Sequence, residues 1–476
     1  MKKLLILGIL YFIMSEGFPQ TKGQPSPNVL FIAIDDLNTW QGFMGHSYAQ
    51  TPHMDKLAQA GTYFSNAYCQ APLCGPSRAS LMSGKRPSTT GIYGQIQDVN
   101  LREAHPLLEE LEFLPEYFAN RGYKTMGIGK LFHQHAPEGV FELSGGRVSG
   151  FGPKPEKRFK WDQKGTSTDW GAFPKVDSLM PDFQSAEWAV DRLGEDHDRP
   201  FFLAVGFLRP HVPWYVPPKW FESYPLTQSF TPPYQENDQG DVPEIARRVA
   251  EVPMMPTTEW AKEQGEWNAI CQAYLASVSF VDAQVGKVLK ALESSEYADN
   301  TLIVLWSDHG YHLGEKNRFA KHSLWEPATH VPLVFAGRGI LPGQTCEQPV
   351  QLLDLYPTLL ELCGLPPNSQ NEGTSLVPLL YNSRYFWPYP AITTYGKGNH
   401  GIRWGNYRYI RYEDGSEELY DLASDPNEWK NQAPNPYFKK ILRQFRGWKP
   451  SRNEAWSSMS NYSVIPYFKE QKESGR

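Results

Sequence analysis

"NVLFIAIDD", Asn28 to Asp36, is an apolar run without polar alternation that stops abruptly on two adjacent carboxylates. A run of that texture reads as a strand buried on both faces of a parallel sheet, since a half-exposed strand would alternate. The texture returns in "YKTMGIG" (Tyr123 to Gly129), "FFLAVGF" (Phe201 to Phe207), "TLIVLWS" (Thr301 to Ser307) and "VPLVFAG" (Val331 to Gly337), with amphipathic stretches such as Tyr274 to Leu292 between them. Strands and helical segments in alternation predict a three-layer α/β architecture.

What each strand runs into is more telling than the strand. The first ends in Asp35-Asp36, the second in Lys130 with His133 three residues on, the third in Arg209-Pro210-His211, and the fourth in Ser307-Asp308-His309-Gly310. Ligands of open α/β sheets gather outside the carboxyl ends of the strands, so these four endings are expected on one rim.

The 476 residues suffice for a large domain with a smaller companion, and the formal charge of -6 without any long Lys/Arg run argues against nucleic acid as the main partner. After about Leu380 the sequence alternates, becomes rich in Tyr and carries a Glu413-Asp414-Gly415 turn. A small C-terminal antiparallel sheet over 381–476, following a catalytic domain over 24–380, is the expected division. The segments Arg147 to Pro181 and Tyr224 to Pro256 lack periodicity and read as surface insertions. At the amino end, Met1, Lys2 and Lys3 precede the apolar run Leu4 to Met14 and a polar Gly/Pro segment, which reads as a cleavable secretory signal over 1–23. No other run approaches a membrane helix in length, and no cysteine follows the leader to take a lipid. An exported protein, periplasmic or secreted and without a transmembrane anchor, is expected.

Asp35, Asp36 and Asp308, brought together, would repel one another unless a cation lay between them. Oxygen donors of this kind suit a hard divalent ion such as calcium or magnesium, whereas zinc would recruit more His or Cys. The plainer alternative is that the Asp pair caps the next helix. Lys130, His133, His211 and Lys321, with Arg78, make an anion-binding set containing two candidate proton donors. Each alone would pass for a surface charge or a structural hydrogen-bonder, and their shared place after sheet strands is what groups them.

Five cysteines, Cys69, Cys74, Cys271, Cys346 and Cys363, are too few and too irregular for a disulfide framework, although a Cys69–Cys74 pair stays open. Cys74 opens "CGPSRASLMSGKRP", where Pro76 suits the first turn of a helix. The thiol would then stand at a helix N-terminus, a place that holds tetrahedral oxyanions. Beside three carboxylates and a hard ion, however, a thiolate is poorly matched.

"CGPSR" followed by Ser83-Gly84 resembles the signature of the type I sulfatases, in which this cysteine is oxidised to formylglycine. The resemblance extends through "TPHMDKLAQAG" (51–61), "GKLFH" (129–133), "RPHVPW" (209–214), "SDHGYHLGE" (307–315), "AKHSLWEPATHVPLV" (320–334) and "ELYDLASDPNEWKNQA" (418–433), and is nearest to the iduronate-2-sulfatase branch. It implies an alkaline-phosphatase-like sandwich with a small C-terminal α+β unit. It implies one divalent ion, calcium foremost, held by Asp35, Asp36, Asp308, His309 and residue 74 itself. Arg78, Lys130, His133, His211 and Lys321 are implied to steady the formylglycine and bind sulfate, and a formylglycine-generating or anaerobic sulfatase-maturating enzyme is implied as a partner. One hydroxyl of the hydrated aldehyde would attack sulfur while His211 or Lys321 protonates the leaving oxygen, and the second would expel sulfate.

The implied substrate is a sulfated oligosaccharide cut from its end, a uronate 2-sulfate of a glycosaminoglycan or an algal counterpart. His312, His322 and Arg403 are the candidates for touching the sugar, with Trp161, Trp170 and His400 behind them. Competing readings are a small-ester arylsulfatase or choline-sulfatase, a phosphatase or phosphodiesterase of the same superfamily, which would need two metals, and an unmodified glycan-binding protein.

Overall fold

In the computed structural model, which describes residues 26–148, 150–159 and 168–475, Asn28–Ile34 is a strand (β1) with every residue buried. The leader assigned to 1–23 and Trp161 lie outside the described residues. Alternate side chains of β1 enter different cores: Val29, Phe31 and Ala33 belong to one apolar cluster, Leu30, Ile32 and Ile34 to another. Burial on both faces is why the run lacks alternation.

Seven further strands complete the sheet: β2 (Gly61–Phe64), β3 (Lys124–Gly129), β4 (Leu143–Gly146), β5 (Phe201–Phe207), β6 (Thr301–Ser307), β7 (Leu333–Gly337) and β8 (Gln344–Cys346). They lie in the order β8-β2-β7-β6-β1-β5-β3-β4. The block β6-β1-β5-β3-β4 is parallel throughout, and β7 runs against both its neighbours. One face is covered by α1 (Pro52–Gln59), α4 (Pro181–Leu193) and α5 (Trp267–Glu293), the other by α2 (Cys74–Ser83), α3 (Leu114–Ala119) and α6 (Leu355–Leu362). The expected three layers are therefore present.

The C-terminal sheet is an antiparallel meander of β9 (Ala391–Thr394), β10 (His400–Trp404), β11 (Tyr407–Arg411) and β12 (Glu417–Asp421). The hairpin at Glu413 to Gly415 closes where the turn residues predict, with Gly415 at φ 95°. Ile402, Tyr409 and Leu419 pack under α7 (Lys439–Gly447), while Ile410, Tyr412 and Tyr420 face Leu324 and Trp325 of the large domain. The sequence reading put everything beyond 381 in this unit, yet the chain leaves it again. Backbone bonds tie Glu454 to Ser88, Ser457 to Gly91 and Asn461 to Gln95, so the segment from 454 to 461 crosses back onto the loop after α2.

The insertions are less superficial than their aperiodic sequence suggests. Trp170 is buried, stacks on Phe159 with centroids 4.6 Å apart, and lies in a short strand paired with Trp214–Val216.

Candidate active site

Asp35 and Asp36 follow β1, Lys130 follows β3, His211 follows β5, and Asp308 and His309 follow β6, so the parallel register delivers all four endings to one rim. Lys130 is drawn close because its backbone N–H donates to Gly206 O at 3.2 Å, and a Cβ at Gly206 would sit 2.3 Å from Lys130 O. Lys130 Nζ then donates to Asp35 Oδ2 at 2.5 Å.

The third contribution is α2. Cys74 is its first residue, Leu73 caps it in extended conformation, and Ser77 N closes the first turn on Leu73 O at 3.0 Å. Ser77 Oγ donates to Asp308 O at 2.6 Å, which fastens the helix to the end of β6. One turn along, Arg78 donates from Nε to Asp308 Oδ2 at 2.7 Å and from NH1 to Lys130 O and Leu131 O. A fully buried guanidinium held by two strand ends is a fixed positive wall.

Cys74 Sγ lies 3.2 Å from Lys321 Nζ and 3.2 Å from His309 Nε2. Lys321 also donates to Asp36 Oδ1 at 2.6 Å. Asp36 N donates to Asp308 Oδ1 at 3.2 Å, and Asp36 adopts a left-handed φ of 61°, which turns its carboxylate back over the rim. The Tyr274 hydroxyl, from α5, pins that turn by donating to Asp36 O at 2.8 Å. All five cysteines are free, so the Cys69–Cys74 disulfide alternative falls.

Burial opposes ionisation at Asp35 and Asp36, and the neighbours decide the result. At Asp35 burial is outweighed by the charges of Lys130, Arg78 and Lys321, which hold it well below the usual range. At Asp36 burial prevails over Lys321, with Asp35 adding repulsion, and the group is pushed up to about 7. Burial likewise raises the Cys74 thiol, so it is no ready thiolate.

These residues suit a hard cation. Asp35 Oδ1 and Asp36 Oδ2 are buried and lack a hydrogen-bond partner, an expensive state unless an ion completes them. Ligand atoms of Asp35, Cys74, Asp308 and His309 lie within 4.8 Å of one another, as do those of Asp35, Asp36, Cys74 and His211. His309 Nδ1 lies 3.0 Å from Gly310 O; a carbonyl only accepts, so Nδ1 carries the hydrogen and Nε2 presents its lone pair to the cluster.

His133 and His211 flank the group. His211 Nε2 is 3.9 Å from Asp36 Oδ2, and its Nδ1 is held by Val212 O at 2.6 Å. His133 Nδ1 lies 3.0 Å from Ile96 O, and burial with Lys130 lowers the ring to about 3.

The candidates for touching sugar separate. His322 stands beside Lys321 with a left-handed φ of 59°, bonds Tyr395, stacks on Tyr462 at 5.4 Å and leaves Nε2 unpartnered. His312 is turned away, bonded to Ser323 and packed edge-on to Trp325. Arg403 points elsewhere too: it donates to the Tyr68 hydroxyl and lines a separate cavity of about 360 Å³ with Glu326, His330 and Glu428. His400 is fully buried between Thr394 and Asn453.

Sequence reasoning missed two members. Gln95 Oε1 accepts from Gly75 N at 2.8 Å, beside the thiol, and a Cβ at Gly75 would meet that oxygen at 2.5 Å. Tyr462 reaches the site from the returning C-terminal segment, where Lys321, Cys74 and Asp36 all act on its hydroxyl. Neither carries a local signal, because both are placed by a crossing of distant segments.

With this geometry in view, comparison with known proteins is direct. Residues 27–365 match the Sulfatase family model, and residues 314–448 match that of the N-sulphoglucosamine sulphohydrolase C-terminal region. A sulfatase of Formosa agariphila is 54% identical over 462 residues, covering 94% of this chain and 91% of its own. The iduronate 2-sulfatase of Mus musculus is 31% identical across 76% of this chain and 73% of its own, and a Delta 4,5-hexuronate-2-O-sulfatase of Bacteroides thetaiotaomicron is 30% identical across 89% and 88%. The solved structure of a 2-O GAG sulfatase superposes with a TM-score of 0.69 at 26% identity, covering 94% of this chain and 93% of the other.

Proposed function

The chain belongs to the sulfatase family and is a sulfuric ester hydrolase, and from that premise we propose that it removes sulfate from a sulfated carbohydrate, by preference the 2-sulfate of a terminal uronate. The observation that carries the reading is the placement of Cys74: a buried, protonated thiol at a helix start, facing three carboxylates, two lysines and an arginine. Such surroundings suit an oxygen nucleophile and an oxyanion, and they do not suit sulfur. The 2-O-specific names of the relatives support the position of the ester.

Conversion of Cys74 to formylglycine would supply the nucleophilic oxygen, and a divalent ion among Asp35, Asp36, Asp308 and His309 would supply Lewis acidity. The chain's own residues do the rest. Arg78, immobilised by Asp308 and by two carbonyls, and Lys130 present positive charge to the sulfate oxygens. Lys321 bridges residue 74 and Asp36 and carries its proton, so it is the group placed to protonate the leaving sugar oxygen. His211 bears its hydrogen on Nδ1, bonded to Val212 O, and offers Nε2 as an acceptor that orients the incoming ester. The Lys2/Lys3 leader supports action after export, and no described helix is long and apolar enough to cross a membrane.

The test is sulfate release across glycosaminoglycan disaccharides and algal oligosaccharides, with position followed by NMR and Cys74→Ser as the blank. Release of a uronate 2-sulfate by the parent enzyme, with loss of multiple turnover in Cys74→Ser, is the expected outcome. Sustained turnover by clean Cys74→Ser would remove the proposed nucleophile.

A further inference from the structure

Two cations of the segment after β4 stand apart from every ion pair. Among the described residues neither Arg147 nor Lys154 pairs with a carboxylate; both lie instead over the ring of Phe151, at 5.7 and 4.9 Å from its centroid. Phe151 packs tilted against His211, with centroids 5.2 Å apart, and its carbonyl accepts from buried Arg209 at 2.9 Å. The ring is thus fastened to the end of β5, and Arg147 is one ring removed from His211. The charge of Arg147 also reaches His133 on the other flank, where it adds to the burial that keeps that imidazole neutral. Arg147 is half-buried, so its guanidinium is partly desolvated without a counter-charge, a state that favours an anionic ligand.

The sulfate cradle is already filled by its own set. Arg78 is spent on Asp308 and two carbonyls, and Lys130 and Lys321 each hold a carboxylate. A second anionic group on the sugar would need a cation beside the cradle and outside it. In a 2-sulfated uronate the carboxyl group and the sulfated oxygen sit on opposite edges of one ring. We propose that Arg147, seated on Phe151 and assisted by Lys154, binds the carboxylate of the substrate uronate and sets the preference for uronates over neutral sugars. The assignment rests on the uronate reading above. A planar guanidinium meets a carboxylate through two parallel hydrogen bonds, which a flexible ammonium does not reproduce.

The experiment compares the formylglycine-bearing enzyme with Arg147→Met and Arg147→Lys. The probes are a 2-sulfated uronate disaccharide, its carboxyl-reduced counterpart with the same sulfate, and a disulfated neutral disaccharide. The readout is the ratio of kcat/KM for carboxylate over reduced sugar. Arg147→Met is expected to lower that ratio about 10- to 100-fold, through KM rather than kcat, with Arg147→Lys recovering part of it. An unmoved ratio in Arg147→Met, with the parent still cleaving the uronate, overturns the assignment to Arg147 and leaves the uronate reading standing. A parent enzyme that ignores the uronate and cleaves the reduced sugar overturns both. A variant whose loss tracks the second sulfate, with the carboxylate ratio unmoved, overturns the carboxylate as the bound group.

Discussion

Asp36 and Glu418 are both fully buried carboxylates, one at the rim of the large sheet and the other at its junction with the C-terminal sheet, and they are treated in opposite ways. Glu418 accepts from Trp325 Nε1 at 2.9 Å, from the Tyr412 hydroxyl at 2.6 Å and from the Tyr420 hydroxyl, so both its oxygens are occupied. Asp36 has one oxygen on Lys321, while the other has His211 Nε2 at 3.9 Å and no hydrogen-bond partner. Buried charge is common to both regions. Of these two carboxylates, the one at the rim keeps an oxygen without a hydrogen-bond partner, in a cluster whose donors could close on an ion, and the other has none to spare.

Substitutions at the two carboxylates should part company. The largest effect is expected for Asp36→Asn: kcat/KM falling by about a thousandfold or more, with the unfolding midpoint moved by only a few degrees. Equal losses of activity and stability there would erase the distinction. Next, dialysis against a chelator should abolish sulfate release and lower the melting temperature, both restored by calcium or magnesium, with metal content measured alongside. Full activity in a metal-free preparation would mean that the spare oxygens serve another purpose. Glu418→Ala should do the reverse of Asp36→Asn, costing about 3 kcal/mol in denaturant unfolding by stranding three donors while leaving kcat near the parent value.

The smallest effect sharpens the comparison through pH. Burial, with minor help from Lys449 and Arg86, lowers His400 to about 4 in spite of its bond to Asn453. The unfolded chain, with histidine near 6.5, therefore takes up the proton first. Stability from this residue is complete above pH 6.5 and is lost as pH falls towards 4, by about 2 kcal/mol at pH 5. His400→Gln should flatten that part of the unfolding profile; an unchanged slope would show that other groups govern it.

Much of the catalytic half was legible because strands of a doubly covered sheet announce themselves by missing alternation, and their polar endings mark the rim. The Pro of "CGPSR" placed the helix start at Cys74 where the structure has it. His312 is a candidate by its place beside a site motif and Arg403 by its place on the C-terminal unit; in the fold His312 bonds Ser323 and Arg403 bonds the Tyr68 hydroxyl, contacts that sequence position does not reveal. Gln95 and Tyr462 were invisible for another reason. Gln95 is set beside Cys74 by its side chain accepting from Gly75 N, and a backbone bond from Asn461 to Gln95 O brings the segment of Tyr462 to the same place from far along the chain, neither of which a side-chain pattern encodes.

That crossing also has a temporal side. Ser460 bonds the loop at Gly94 from 366 residues downstream, so during synthesis the floor under Cys74 stays unroofed until nearly the whole chain has emerged. In the finished fold Cys74 is 1% exposed. If Cys74 is converted to formylglycine, as proposed above, the interval before the last crossing is made would be when the thiol lies open, and slow closure of that seam would lengthen it.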